Sequence, residues 1–203
     1  MKLDKLVLAS SSPRRKDLIK ALGIPFLIFE PNVDETVNIA KPEELTQIAI
    51  RKVRAFPGND VAVAADTAVV YDDRLLGKPA NEEDAFKMLL SLRGKAHLVI
   101  TAVAVMAQNR VSSSYCMTQV TMRNYTEDEI RTYIASGKAR DKAGGYAIQD
   151  KDFNPVASYE GCYLNVVGLP LCPLVQIIKE LGFCLISFSK PAECQGCQSK
   201  DKL

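Results

Sequence analysis

"KLVLASSSPRRKDLI", residues 5–19, places an apolar strand directly before an amphipathic helix. Ser12 suits the N-cap of that helix, and Pro13 suits its first position, where a missing N–H costs nothing. Strand and helix signals continue to alternate along the chain, but hairpin signals interrupt the alternation. This order predicts an α/β fold in which a mixed β-sheet is flanked by helices.

The start of this helix carries three cations, Arg14, Arg15 and Lys16. A helix N-terminus already bears a partial positive charge and unpaired N–H groups, so acidic residues are the stabilising choice there. Cations at this position are better explained if an anion binds among them. We therefore predict a phosphate site formed by the turn Ser10-Ser11-Ser12 with Arg14 and Arg15. The alternative is that the cationic side chains extend into solvent.

Patterns farther along the chain predict four more helices and a series of strands. The helices begin near Pro42, Asn81, Thr126 and Pro173. The strands are expected over residues 24–29, 61–73, 74–79, 97–108 and 114–125, near 158–168, and over 185–188. No interdomain linker is visible, so we predict one domain over residues 1–189 and a disordered tail over 190–203.

Composition excludes several classes of protein. The chain has 203 residues, 47% of them hydrophobic, which is enough for one full core. A net charge of +2 with dispersed basic residues is not typical of a nucleic-acid-binding protein. No apolar run approaches the ~20 residues of a membrane span, and the apolar segment near the N-terminus is too short for a secretory signal. We expect a cytoplasmic protein.

Cysteine and histidine usage limits the metal chemistry. The six cysteines are not spaced as in a disulfide-bonded framework, so reduced thiols are expected. Cys194 and Cys197 form a single CxxC motif, which has no second pair or nearby histidine to complete a zinc site. The single histidine, His97, begins a predicted core strand, where a hydrogen-bonded structural role is expected. A catalytic metal would therefore be a hard ion held by carboxylates and phosphates, Mg²⁺ or Mn²⁺.

Two charged residues lie where apolar ones are expected. Asp66 interrupts the strand VAVAADTAVVY, and burying a carboxylate is costly unless it is paired or binds a metal. It either caps a turn or serves as metal ligand or general base. Lys52 falls within the apolar stripe of the helix that Pro42 opens, so it either extends past that stripe or meets an anion in a cleft.

The remaining candidates are weaker one by one. Lys78 lies on a turn stiffened by Pro79, Glu35 belongs to an acidic segment, and Gln149 follows a turn containing Gly144. Each of them has a plain surface or turn interpretation. Together with the cations they match what a polyphosphate and a divalent ion require.

These stretches, in this order, resemble the Maf family of nucleoside triphosphate pyrophosphatases over residues 5–182. The matching pieces are LASSSPRR, VDET, the RK of AIRKVRA, AADTAVV, LGKP, DKAGGYAIQ and YLNVVGLPL. The resemblance implies a mixed, curved β-sheet flanked by helices, with two lobes around a cleft, related to the inosine triphosphate pyrophosphatases. It also implies hydrolysis between the α and β phosphates with a divalent metal, which would help keep non-standard nucleotides out of nucleic acids.

The resemblance also implies roles for individual residues. Asp66 corresponds to the proton acceptor, and Glu35 with Asp66 would hold the metal or orient and deprotonate the attacking water. The substrate-binding positions are Ser10, Ser12, Arg14, Arg15, Glu35, Lys52, Thr67, Lys78 and Gln149. Arg14, Thr67 and Gln149 resemble the specificity positions of the branch that acts on dTTP and UTP, with CTP or modified pyrimidine nucleotides as further candidates.

One departure and one alternative accompany this interpretation. Lys138 and Ala139 replace an acid and a proline that many members have before the DKAG loop, which affects loop shape and base preference. The alternative function is a nucleotide-binding regulator of cell division and septum formation with little turnover. The expected partner is a nucleoside triphosphate rather than nucleic acid or a membrane, and a homodimer is left open.

Overall fold

The computed structural model describes residues 1–36, 41–185, 188 and 191–194. The helices are α1 (Pro13–Ile19), α2 (Pro42–Arg54), α3 (Glu82–Leu92), α4 (Glu127–Ala135), α5 (Tyr163–Val167) and α6 (Leu171–Glu180). The strands are β1 (Leu6–Ala9), β2 (Phe26–Phe29), β3 (Ala62–Tyr71), β4 (Arg74–Leu76), β5 (Ala96–Ala107), β6 (Arg110–Met122) and β7 (Val156–Glu160). None of the described helices is both long and apolar enough to cross a membrane.

The seven strands form one mixed sheet in the order β2-β1-β3-β5-β6-β7, and β4 pairs with β3. The pairs β1–β2 and β1–β3 are parallel, and the others are antiparallel. Two-residue turns join β3 to β4 and β5 to β6. Both residues of each turn, Asp72 and Asp73 and then Gln108 and Asn109, have positive φ, the backbone conformation that tight hairpin turns require. The predicted α/β class with a mixed, helix-flanked sheet is confirmed.

Helices cover both faces of the sheet because successive residues of a strand point to opposite sides. On one face, Val63, Ala65, Val103 and Val105 pack in a core cluster with α6 residues. On the other face, Ala62, Ala64, Ala102 and Ala104 pack with the apolar stripe of α2. A third cluster joins α3 and α4 to the far ends of β3, β5 and β6.

The helix starts predicted at Pro42, Asn81 and Thr126 agree with the structure, whereas the helix expected from Pro173 begins two residues earlier, at Leu171. Asn81 accepts a hydrogen bond from the Asp84 amide, and Thr126 forms a complete capping box with Glu129. Ser12 does occupy the N-cap of α1, but its side chain makes no capping bond. The orphan amides there are consequently available for another acceptor.

One strand prediction was also wrong in part. The strand expected near residues 158–168 ends at Glu160, and Tyr163–Val167 form a short helix instead. A short buried apolar run does not distinguish strand from helix by its periodicity. Gly168, at φ 116°, ends that helix in a conformation suited to glycine.

The C-terminal predictions fall mostly outside the described residues. Of the strand expected over 185–188, residues 186 and 187 are not described, and of the tail over 190–203, only 191–194 are. Ala192–Cys194 form a 3-10 turn, and Cys194 is buried against the first core cluster. The division into a domain over 1–189 and a disordered tail over 190–203 stays a prediction.

Candidate active site

A gap in the pairing of β3 positions the site. On one edge of β3, β1 pairs with residues 62 and 63, and β4 pairs with residues 69–71. Neither strand pairs with residues 64–68 between them, so the edge of the sheet is open there. A cleft of about 540 Å³ lies at this opening, beside the carboxyl end of β1.

The cleft brings together every site residue that the sequence predicts. They are Ser10, Ser12, Arg14, Arg15, Glu35, Lys52, Asp66, Thr67, Lys78 and Gln149. They come from the serine turn after β1, from α1, the acidic segment, α2 and β3, and from two loops. The structure thus places them on one surface, and their individual roles stay predictions.

Lys52 forms the centre of the acidic side. Its Nζ lies 2.6 Å from Oδ1 of Asp66 and 3.0 Å from Oε2 of Glu35. The side chains are 4% exposed for Lys52, 13% for Asp66 and 49% for Glu35. Lys52 is buried because it lies on the apolar stripe of α2, and the two carboxylates compensate its charge.

Arg15 is held on the opposite side by three acceptors. Nε donates to the carbonyl of Gly168 at 2.9 Å, Nη2 to Oγ1 of Thr67 at 3.0 Å and Nη1 to Oγ of Ser10 at 3.4 Å. Burial lowers the pKa of the Arg15 guanidinium, although the nearby carboxylates of Asp66 and Glu35 raise it. The group stays cationic over the physiological range.

Arg14 is tied to a partner that sequence reasoning missed. Its Nη1 donates to Oδ2 of Asp141 at 3.0 Å, and Asp141 also pairs with the neighbouring Lys142. Burial raises the pKa of Asp141, but the bonds from Lys142 and Arg14 outweigh it and hold that pKa below its ordinary value. Both Asp141 and Lys142 line the cleft, and no spacing in the sequence predicts a pair 127 residues apart.

The glycine turn is packed against the sheet and joined to the lysine turn. Gly144 has φ 70°, and a Cβ there would lie 3.2 Å from the side chain of Val69. Its amide donates to the carbonyl of Gly77 at 3.0 Å, directly before Lys78. This contact holds the loop with Gln149 and the turn with Lys78 on the same side of the cleft. Both of these side chains are exposed and have no hydrogen-bond partner among the described residues.

His97 takes no part in this cleft. It is buried, its Nε2 lies 2.7 Å from the hydroxyl of Tyr146, and burial lowers its pKa to about 4. The structural role that the sequence suggests for His97 agrees with these contacts. Within the described residues, no group of three or more His, Cys, Asp or Glu side chains could hold a metal by itself.

A family model described as Maf-like protein matches residues 5–181. The chain belongs to the Maf family. The match covers every strand and helix from β1 to α6 and all ten predicted cleft residues. The resemblance drawn from the short motifs is therefore confirmed.

Several relatives of this Maf protein carry one name, dTTP/UTP pyrophosphatase. The protein of Dictyoglomus thermophilum is 43% identical over 190 residues, which are 90% of this chain and 98% of the relative. That of Thermomicrobium roseum is 43% identical over 201 residues, with 95% and 92% covered. That of Bacillus cereus is 42% identical over 181 residues, with 87% and 95% covered.

Proposed function

We propose that this Maf protein is a nucleoside triphosphate pyrophosphatase that prefers dTTP and UTP. Water attacks the α-phosphorus, the bond to the α–β bridging oxygen breaks, and that oxygen leaves with the pyrophosphate. The observation that carries the proposal is the buried Lys52 held between Asp66 and Glu35 in a cleft that also contains Arg14, Arg15 and Lys78. The relatives named dTTP/UTP pyrophosphatase support the same reaction.

Asp66 is the proposed proton acceptor. Lys52 engages its Oδ1, which leaves Oδ2 able to accept a hydrogen bond from an attacking water. Because Lys52 is fixed by α2 and by Glu35, it orients the carboxylate as well as compensating its charge. Compensation of Lys52 accounts for Oδ1 of Asp66, whereas a protein that only binds nucleotides would have no use for Oδ2 as a proton acceptor.

The cations of the cleft are proposed to hold the triphosphate. Three N–H groups of Arg15 are bonded to the protein, and one N–H on each terminal nitrogen remains for phosphate oxygens. Lys78 is exposed at the cleft without an ion-pair partner among the described residues, so it can meet the phosphates directly. Fixed positive charge at the leaving pyrophosphate stabilises the charge that develops there.

The carboxylates fit a divalent cation such as Mg²⁺ or Mn²⁺. Lys52 takes one oxygen of each carboxylate, Oδ1 of Asp66 and Oε2 of Glu35, and so holds the two groups side by side with a second oxygen on each for a cation. Two carboxylates with substrate phosphate oxygens are a usual ligand set for Mg²⁺, and the described residues offer no larger cluster. When bound, such an ion supplies charge neutralisation at the phosphates.

Gln149 is proposed to recognise the base. Uracil and thymine present O4 as an acceptor beside N3–H as a donor, and a side-chain amide offers the matching pair. Cytosine presents the reverse pattern, so CTP would require the amide to flip, and a purine needs more room. Gln149 lies exposed at the cleft without an internal hydrogen bond among the described residues, so its amide is available.

The test is pyrophosphate release from a panel of nucleoside triphosphates, with Mg²⁺ or Mn²⁺ and again with excess chelator. We expect the highest kcat/KM for dTTP and UTP, lower values for CTP, poor values for ATP and GTP, and no turnover in chelator. Equal or higher values for ATP or GTP would contradict the base assignment. Tight nucleotide binding without turnover would favour the alternative, a nucleotide-binding regulator.

A further inference from the structure

A chain of hydrogen bonds runs from Arg15 into the interior of the sheet. Nη2 of Arg15 donates to Oγ1 of Thr67, which lies 3.0 Å from Oγ1 of Thr101 on β5. Oγ1 of Thr101 donates in turn to the carbonyl of Asn165 at 2.8 Å. Thr101 and Asn165 are fully buried, and neither belongs to the cleft lining.

The direction of each bond in this chain is determined. A carbonyl only accepts, so the single hydroxyl proton of Thr101 is committed to Asn165. Thr67 must therefore donate to Thr101, and its remaining lone pairs accept from Arg15. As a consequence, Thr67 can meet a ligand only as an acceptor, because its proton is committed too.

The carbonyl at the end of this chain needs a donor. Asn165 lies in the last turn of α5, where carbonyls have no partner within the helix. Thr101 supplies that partner, and the Gly168 carbonyl after the same helix accepts from Nε of Arg15. The end of α5 thus fixes Arg15 twice, once directly and once through the two threonines.

We propose that Thr101 is a positioning residue that fixes the orientation of Arg15 through Thr67. With three N–H groups bonded to the protein, the guanidinium keeps one orientation, and its two remaining N–H groups point as a fork for phosphate oxygens. Without the hydroxyl of Thr101, the hydroxyl of Thr67 has no acceptor there, and nothing holds the Thr67 side chain in the rotamer that accepts from Arg15. The inference rests on the proposed function, since it assumes that Arg15 binds the triphosphate.

The experiment is a double-mutant cycle between Thr101→Val and Arg15→Lys, measured as the Kd for inorganic triphosphate by calorimetry. Thr101→Val should raise the Kd roughly tenfold, the size of effect expected when one hydrogen bond to a charged group is weakened. Thr101→Ser, which keeps the hydroxyl, should restore it. In the Arg15→Lys background Thr101→Val should change the Kd by less than about twofold, because the lysine cannot make the three bonds.

Thr118→Val is the matched control. Its hydroxyl is equally buried, donates to the Cys162 carbonyl and accepts from the side-chain Nδ2 of Asn165, but it has no hydrogen bond with Thr67 or Arg15. It should lower the unfolding temperature as Thr101→Val does and leave the Kd unchanged. If Thr101→Val does not fold, Thr101→Cys, which keeps the volume with a weaker donor, takes its place in the cycle.

The outcomes separate this inference from the proposed function. Equal effects of Thr101→Val and Thr118→Val on the Kd, or a full effect of Thr101→Val in the Arg15→Lys background, would overturn the positioning role. Absence of triphosphate binding by the wild type would overturn it as well. Coupling in the Kd without release of pyrophosphate from dTTP would sustain the positioning role and contradict the proposed reaction.

Discussion

Replacing Lys52 with methionine tests whether the centre of the cleft is a buried ion pair. The substitution keeps an unbranched stem that reaches as far as Cε and removes the ammonium that Asp66 and Glu35 share. Glu35 is half exposed and can return to water, whereas Asp66, at 13% exposure, is left as a nearly buried charge without its partner. The loss of stability therefore comes mainly from Asp66.

The size of that loss follows from burial. Removing one partner of a buried ion pair lowers the free energy of unfolding by about 3–5 kcal/mol. Because water can reach Asp66 through the cleft, we expect a loss at the lower end of that range, about 3 kcal/mol. The double variant Lys52→Met/Asp66→Asn should regain about half of it or more, because no uncompensated charge remains. Lys20→Met is the matched control, since Nζ of Lys20 lies 2.7 Å from Asp17 but both side chains are more than 60% exposed. An exposed pair of this kind contributes at most about 1 kcal/mol.

The assay is urea unfolding followed by far-ultraviolet circular dichroism, since the chain has no tryptophan for fluorescence. The rise in unfolding temperature caused by triphosphate should also shrink for Lys52→Met and stay intact for Lys20→Met. Equal small losses of stability in both variants would refute the reasoning, because they would make Lys52 an ordinary surface lysine. A double variant no more stable than Lys52→Met would refute the assignment of the cost to Asp66.

Three further predictions concern the acid, the amide and the histidine. Asp66→Asn should keep the fold and lower pyrophosphate release at least ~100-fold, as expected for a lost general base, and near-normal turnover would remove Asp66 from that role. Gln149→Leu should lower kcat/KM for UTP by ~10-fold or more and narrow the preference over CTP, and an unchanged UTP-to-CTP ratio would count against base recognition. Burial lowers the pKa of His97 to about 4, from 6.5 in the unfolded chain, so the unfolded state takes up the proton first as pH falls. The free energy of unfolding should therefore drop by up to about 3 kcal/mol between pH 6.5 and 4, and urea titrations of His97→Gln that show the same drop would contradict this.

Local signals in the sequence were enough for most of the fold. The ring of Pro42 favours the first position of a helix, and the side chain of Asn81 caps the helix that follows it. The hairpin turn at Asp72 and Asp73 likewise depends on only those two residues, which both adopt positive φ. Burial of Lys52 was predictable because helical periodicity alone places it on the apolar stripe. The short helix at Tyr163–Val167 was not, because five apolar-rich residues fit either period.

The partners of the site residues could not be predicted in the same way. The bond from Arg14 to Asp141 joins residues 127 positions apart, and the bond from Arg15 to Gly168 spans 153. Such contacts depend on how the sheet orders its strands, which no local pattern encodes. The motif resemblance named the residues of the cleft, but it said nothing of the pairs that hold them in the free protein.

Asp66 and Thr67 explain why one strand can serve both halves of the site. As neighbours on β3 they point to opposite faces of the sheet, Asp66 toward Lys52 of α2 and Thr67 toward Arg15 and the end of α5. The pairing gap over residues 64–68 leaves both side chains at an open edge, so an acid and a hydroxyl can be tolerated inside an otherwise apolar strand. A slip of one residue in the pairing of β3 would exchange the two faces and separate the carboxylate from its lysine and the hydroxyl from its arginine. The long antiparallel pairing of β3 with β5, nine residues in unbroken register, prevents that slip and so holds the acid and the phosphate-binding arginine in fixed relation.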